Sequence, residues 1–173
     1  MLFAVLISSL LLSIGIAILD LTLKEFLLSS AGRESQFAFY AADDAMECAL
    51  YWDHNVPGAG GLVTSGSSFA TSTGSSGYIT ASNEASLKRN GHAITNLSVN
   101  PGSNTADTSF DVSYAVPSAE NVIDRPCAAV DVSKTSTTTI NGLVTATQIE
   151  TRGYDTCDTS NPNQTERGIQ TNY

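Results

Sequence analysis

Few side chains in this sequence are placed to do chemistry. His54 and His92 are its only histidines, and neither has a neighbour at metal-ligand spacing, so both are expected at the surface. The three cysteines, Cys48, Cys127 and Cys157, stand far apart and form no C-x-x-C pair. The tail DTCDTSNPNQTE gathers Asp155, Asp158, Asn161 and Glu166, an oxygen-rich set of the kind that Ca²⁺ prefers. It lacks the acid-at-alternate-positions order of an EF-hand, and no metal site is expected there. No nucleophile with a neighbouring base, no glycine-rich phosphate loop and no cofactor fingerprint occurs. The expectation is therefore neither an enzyme nor a cofactor carrier. Asn96-Leu97-Ser98 and Asn163-Gln164-Thr165 match the glycosylation triplet, and the Ser/Thr-rich stretch 64–76 could take O-linked sugars. Such triplets are common by chance, and a plain exposed loop accounts for the stretch.

The chain has 173 residues, a net charge of −9 and a mean hydropathy of +0.01. An acidic body excludes sequence-independent nucleic-acid binding, which needs a basic face to displace phosphate counterions. The averages conceal a segregation, because residues 1–19, MLFAVLISSLLLSIGIAIL, carry no charge at all. With only Asp20 interposed, apolar character continues to about Leu28, enough for the roughly 20 residues that cross a hydrocarbon core. A secretory signal peptide would need a basic segment before this run and a small-residue cleavage site after it, and neither is present. The missing basic residues predict instead that a basic leader has been removed ahead of Met1.

Helical character does not stop where the apolar run does. No proline occurs from Lys24 to Asn55, and Phe37, Ala41, Ala45, Cys48 and Trp52 fall at spacings of three and four. Asp20 and Lys24 add a favourable i,i+4 pair, and Val56-Pro57-Gly58 supplies the stop. The reading is a single helix of about 53 residues, on the order of 80 Å long, apolar in its first half and amphipathic in its second. A helix of that length cannot lie inside a globule of 18.1 kDa, so its first half must protrude.

Beyond it the organisation divides into a Ser/Thr/Gly-rich connecting region, 56–108, and an antiparallel sheet with a C-terminal cysteine loop, 109–173, with 1–28 and 29–55 as the two halves of the helix. The connecting region has little to bury and reads as loop draped on the sheet. Strands are expected at 93–99, 109–116, 128–140 and 143–154, with a short last one at 168–173. Asn141-Gly142 reads as a two-residue hairpin loop with Ile140 opposite Leu143. Val130, Val132, Ile140, Leu143 and Ile149 then share one face, and Asp131 lies opposite Arg152 on the other. Cys127 falls opposite Thr156, so a bulge near Gly153 would bring it to Cys157 and predicts a Cys127–Cys157 disulfide, with Cys48 left as a buried thiol. Pairing of Cys48 with one of the others is the alternative. Cysteines in an exported chain point to an oxidising, extracytoplasmic compartment.

This arrangement resembles the type IV pilin superfamily: an apolar N-terminal helix continuing into an amphipathic half, a Ser/Thr/Gly-rich connection, then an antiparallel sheet with a cysteine loop. The stretch GRESQFAFYAADDAMECALYWD is similar to the segment that follows the apolar helix in bacterial pilins and pilin-like minor subunits, and CAAVDV and RGYDTC resemble pilin strand and tail elements. The resemblance implies an α+β fold and a leader removed by a prepilin peptidase. It further implies a methylated new terminus at Met1, and helical polymerisation with the pilus assembly machinery as partner. Position 5 is Val5 where the family usually has glutamate, and position 1 is Met1 where it usually has phenylalanine. The family's helix-breaking proline is also absent. Gly15 is then the place where local unwinding is cheap, or equally where two helices approach closely.

Assembly is the physical mechanism implied. A helix stored in the membrane must be re-buried against identical helices on extraction, because each exposed Leu or Ile costs about 1.5–3 kcal/mol. Leu2, Phe3, Val5, Leu6, Leu10, Leu11, Leu12, Ile16, Ile18 and Leu19 would form that filament core. The expected product is a homo-oligomeric extracellular filament on a bacterial surface, resident in the membrane before assembly, without direct nucleic-acid binding. A minor pilin or secretion pseudopilin, and a monomeric membrane-anchored binding domain, are the alternatives.

Overall fold

Nothing between Leu2 and His54 interrupts helical hydrogen bonding, since the stretch holds no proline and only Gly15 and Gly32. In the computed structural model the backbone is accordingly one helix, α1 (Leu2–His54), of 53 residues. The structure describes residues 2–57, 63–65, 67–70, 88–89, 92–114, 125–140 and 142–173. The expectations for Met1, for the side chains of Leu2 and His92, and for most of 64–76 lie outside the described residues.

By their contacts the residues separate into two units, Met1–Glu34 and Ser35–Tyr173. The second unit contains a five-stranded antiparallel sheet in which each strand pairs with the next along the chain. Its strands are β5 (Thr95–Pro101), β6 (Thr105–Ser113), β7 (Cys127–Thr139), β8 (Gly142–Tyr154) and β9 (Glu166–Asn172). Ahead of it stand two short pairs, β1 (Asn55–Pro57) with β2 (Val63–Ser65), and β3 (Lys88–Arg89) with β4 (His92–Ala93). One long helix followed by an antiparallel sheet is an α+β fold, as the sequence predicted. β6 begins four residues before the expected start because Ala106 and Thr108 continue the inward alternation of Phe110 and Val112. Ala and Thr carry too little apolar signal to show this in the sequence.

The β7–β8 hairpin corrects the expected register. Thr139 pairs with Gly142, so Ile140 belongs to the turn and Gly142, at φ +120°, closes it instead of sitting within it, while Asn141 lies outside the described residues. The offset between the strands is two residues, so inward and outward faces are preserved. Asp131 therefore faces Glu150, and Arg152 faces Ala129 and reaches diagonally to Asp131 at 2.6 Å. Val130, Val132 and Ile149 are buried as expected, whereas Ile140 and Leu143 are exposed. They lie past Lys134, which meets Asp53 at the last turn of α1, so no helix remains to cover them.

What α1 lays on the sheet is a row of small residues. Ala38, Ala41, Ala42, Ala45 and Ala49 are buried, with Met46 and Cys48 beside them. Of the five positions expected to pack on the sheet, Ala41, Ala45 and Cys48 are buried and Trp52 is partly buried, but Phe37 is 43% exposed. The alanines let backbone approach backbone. Opposite them stands Gly153, where an added Cβ would overlap the Ala38 carbonyl and the Ala42 amide. Gly153 is thus a point of close approach between helix and sheet, and no bulge occurs there: β7 and β8 pair without interruption. Thr151 and Tyr114 fix the approach by donating to the carbonyls of Ala42 and Ala41, at 3.0 and 2.9 Å. Gly153→Ala should lower unfolding stability by about 3 kcal/mol, because neither overlapping partner is a side chain that can rotate away. An unchanged urea midpoint would show that the helix stands further off.

The connecting region buries more than its composition suggests. Ser68, Phe69 and Ala70 are all buried, and Phe69 stacks on Phe110 with centroids 5.9 Å apart. The same segment satisfies the end of α1, whose last carbonyls have no helical partner. Ser68 N–H donates to the Trp52 carbonyl at 2.9 Å, and Asn55 Nδ2 to that of Tyr51 at 2.8 Å. Phe69→Ala should cost about 3–5 kcal/mol, read as a fall in the denaturation midpoint.

Candidate functional site

The apolar half of α1 presents large hydrophobic side chains all round. Phe3, Val5, Leu6, Leu10, Leu11, Leu12, Ile16, Ile18 and Leu19, all expected in a filament core, are each more than half exposed. The sequence reading missed Ile7 and Ile14 within this run, and Leu21, Leu23, Phe26, Leu27 and Leu28, which extend the same surface. The helix is long and apolar enough to cross a membrane. Its hydroxyls do not spoil that surface. Ser8, Ser9, Ser13 and Thr22 donate to the carbonyls of Val5, Leu6, Leu10 and Leu19, at 3.0, 2.9, 2.9 and 2.9 Å. Each hydroxyl is thereby satisfied within its own helix, which lowers the cost of placing it in lipid or against an apolar neighbour. Gly15 sits in unbroken helix with open space where a Cβ would be. Asp20 and Lys24 pair at 2.8 Å, with both side chains exposed.

At the other end α1 is fastened by a buried polar lock that sequence reasoning missed. Asp53, 5% exposed, meets Lys134 of β7, 4% exposed, at 2.5 Å. Ser67 Oγ donates to Asp53 Oδ1 and Tyr173 Oη to Oδ2, both at 2.6 Å, and Lys134 Nζ donates to Thr147 Oγ1 of β8 at 3.0 Å. Three segments thus converge on the carboxylate at the end of α1, and β8 joins them through Lys134. Tyr173 is held further by backbone bonds in both directions with Thr147, at 2.8 and 3.0 Å. His54 packs edge-on against its ring. Lys134 was legible in one respect: it occupies the inward parity of Val130 and Val132, and a lysine there requires a buried partner.

Burial by itself would raise the Asp53 pKa, but hydrogen bonds from Lys134, Ser67 and Tyr173 outweigh it and hold the carboxyl below its ordinary value. The phenol of Tyr173 is pushed up by burial and by its bond to Asp53, so it stays a neutral donor. A depressed carboxyl binds fewer protons in the folded state than in the unfolded one. Its stabilisation is therefore complete above the unfolded value of about 3.9 and is lost as pH falls through the lower folded value. The thermal midpoint should accordingly drop below about pH 4 more steeply in the native chain than in Asp53→Asn. Parallel pH curves would exclude Asp53 as the titrating group.

The cysteines depart from expectation. Cys127, Cys157 and Cys48 are all free thiols, and the expected Cys127–Cys157 disulfide is not formed. Without a bulge, Cys127 pairs with Tyr154, and Cys157 returns toward it after the strand, near enough for a thiol–thiol hydrogen bond. That bond raises Cys127, as does burial, and holds Cys157 below the usual thiol range. Cys48 is pushed up by burial. Iodoacetamide on the folded chain should therefore alkylate Cys157 first and Cys48 last, as followed by peptide mass mapping. Early labelling of Cys48 would contradict the packing of α1.

In the acidic tail the carboxylates and amides build turns. Asp155 accepts from Thr165 N–H at 2.7 Å, Asp158 from Ser160 N–H at 2.9 Å and Asn161 from Asn163 N–H at 3.0 Å. Among the described residues no three His, Cys, Asp or Glu side chains gather to hold a metal. Asn96 of the first triplet adopts φ 55° at the register break between Thr95 and Ser98, and its amide donates to Asp111 at 2.6 Å. Phe37, misplaced by the sequence reading, lines a groove of about 380 Å³ with Tyr40, Asp43, Asp44, Glu47 and Tyr114.

No family model matches the chain, and comparison with curated proteins and with solved structures found no similar sequence or fold. The likeness to type IV pilins therefore rests on layout: an apolar N-terminal helix whose C-terminal part packs on an antiparallel sheet.

Proposed function

We propose that the chain is a structural subunit of an extracellular filament of the type IV pilus class, polymerising through the apolar half of α1. The observation that carries this reading is the dense set of exposed Leu, Ile, Val and Phe from Phe3 to Leu28 on a helix whose residues run in one element to His54. Such a surface is stable only in lipid or against other apolar helices. Copies that pack side by side in a non-closing, head-to-tail relation generate a helical polymer, and the acidic head would form its outer surface. Adhesion, twitching or DNA uptake would then be functions of the filament. The hydroxyls bonded inside α1 suit both environments, which is what a subunit moving from membrane to filament requires.

The span-competent length of the same helix favours one other reading, a membrane-anchored surface domain that stays monomeric. A minor pilin or pseudopilin would share the subunit chemistry at lower copy number. Shearing cells and probing the released material for this chain, with mass spectrometry of its N-terminus, separates the readings. A subunit is released as sedimenting polymer with a processed, methylated first residue. Retention of all the chain in the membrane fraction with an unmodified terminus selects the anchored domain.

A further inference from the structure

The apolar half of α1 carries an opposite-charge pair that does little where it stands. Asp20 and Lys24 are bonded at 2.8 Å with side chains 65% and 70% exposed. Such an i,i+4 pair contributes little in water, whereas an acid on a surface destined for apolar packing is costly unless it keeps a partner. Asp20 is the only charge before Lys24 in the whole helix. Accepting the polymerisation proposed above, we infer that Asp20 and Lys24 set the stagger between neighbouring copies, with Asp20 of one chain bonded to Lys24 of the next. The occupant of this helix face is thus a second copy of the same chain.

The geometry is self-complementary. Four residues advance the helix by about 6 Å and turn it by only about 40°, so the two charges lie one above the other on one side. A parallel copy in register would set Asp20 against Asp20 and Lys24 against Lys24. A copy displaced by one helical turn sets Lys24 against Asp20, and its own Asp20 is then free for the next copy in the same sense. The contact is head-to-tail and does not close. Glu25 lies about 100° further round from Lys24 and does not share the seam. In the membrane the pair is satisfied within its own helix; in the polymer each charge is shared across the seam. A polar pair used in this way fixes register against many near-equivalent apolar alternatives.

Reversing one charge at a time tests this in the full-length chain. Asp20→Lys places two positive charges on the seam and Lys24→Asp two negative ones. Each variant alone should yield at least tenfold fewer filaments than the native chain at equal membrane abundance. Co-expressed, they should assemble to near-native yield as mixed filaments, because the lysines of one variant face the aspartates of the other. A pair acting only within its own helix is broken in both variants, so no recovery on mixing would overturn the inference. Native yield from either variant alone would overturn it as well. If a variant fails to reach the membrane, cryo-electron microscopy of native filaments decides. Asp20 within about 4 Å of Lys24 of the adjacent copy supports the stagger, and like residues side by side refute it. Absence of filaments from the native chain would refute the polymerisation itself.

Discussion

Leu11→Asp should abolish filaments while leaving the sheet domain folded. Leu11 is exposed in the unit Met1–Glu34, so its replacement removes no packing from the folded domain. In lipid or against neighbouring helices the substitution places a carboxylate in apolar surroundings, at a cost of about 3 kcal/mol. That corresponds to roughly a hundredfold for each subunit added, and the loss compounds along a polymer. Electron microscopy of sheared material should show no filaments, and the thermal midpoint of Ser35–Tyr173 should match the native chain. Leu11→Met keeps volume and apolarity and should assemble normally. Filaments at native yield from Leu11→Asp would mean that this part of α1 is not a packing surface.

The second large effect belongs to the lock at the other end of the helix. Asp53→Ala leaves the Lys134 ammonium buried without its counter-charge, and deprives Ser67 and Tyr173 of their acceptor. Breaking one side of a buried pair costs about 3–5 kcal/mol, which for a domain of this size lowers the midpoint by on the order of 10 °C or more. The pair itself need not be a net gain. Replacing both partners together, Asp53→Leu with Lys134→Met, should recover most of the loss if the new side chains fill the same space. A double variant as unstable as Asp53→Ala would show that hydrogen bonds to Ser67 and Tyr173, and not charge compensation, hold the helix end.

The elements and their faces were legible because they rest on strong periodic signals. The absence of proline up to Pro57 predicted a helix that the structure ends at His54. The alternation of Phe110 and Val112, and of Val130 and Val132, placed the correct sides of β6 and β7 inward. What failed depended on weak or three-dimensional information. Gly142 closes its turn rather than occupying it, a one-position move of the turn that offset every β7–β8 pair by two residues. Phe37 was chosen for its hydrophobicity, yet helix and sheet approach closely enough to require Ala38, Ala42 and Gly153, so the bulky side chain turns outward. Phe69 was hidden in a Ser/Gly-rich context and is buried because Phe110 stands in stacking range, a partner 41 positions away along the chain. The lock could not be read because Asp53, Ser67, Lys134, Thr147 and Tyr173 meet only through the fold.

The candidate assembly surface was the more readable part. Apolar surface in a helix needs no tertiary partner to be recognised, and the positions expected from Phe3 to Leu19 are all exposed, with Ile7 and Ile14 added to them. Less visible were the internal hydrogen bonds of Ser8, Ser9, Ser13 and Thr22, which turn polar residues into compatible ones. They explain why four hydroxyls can occupy a run otherwise made for lipid.

The central claim is that α1 is re-buried against copies of itself, and imaging surface material sheared from cells tests it most directly. The account predicts thin filaments built mainly of this chain, with residues 3–28 of adjacent copies packed together along the axis. Chain recovered only as membrane-retained monomer, with no filament containing it, would contradict the account.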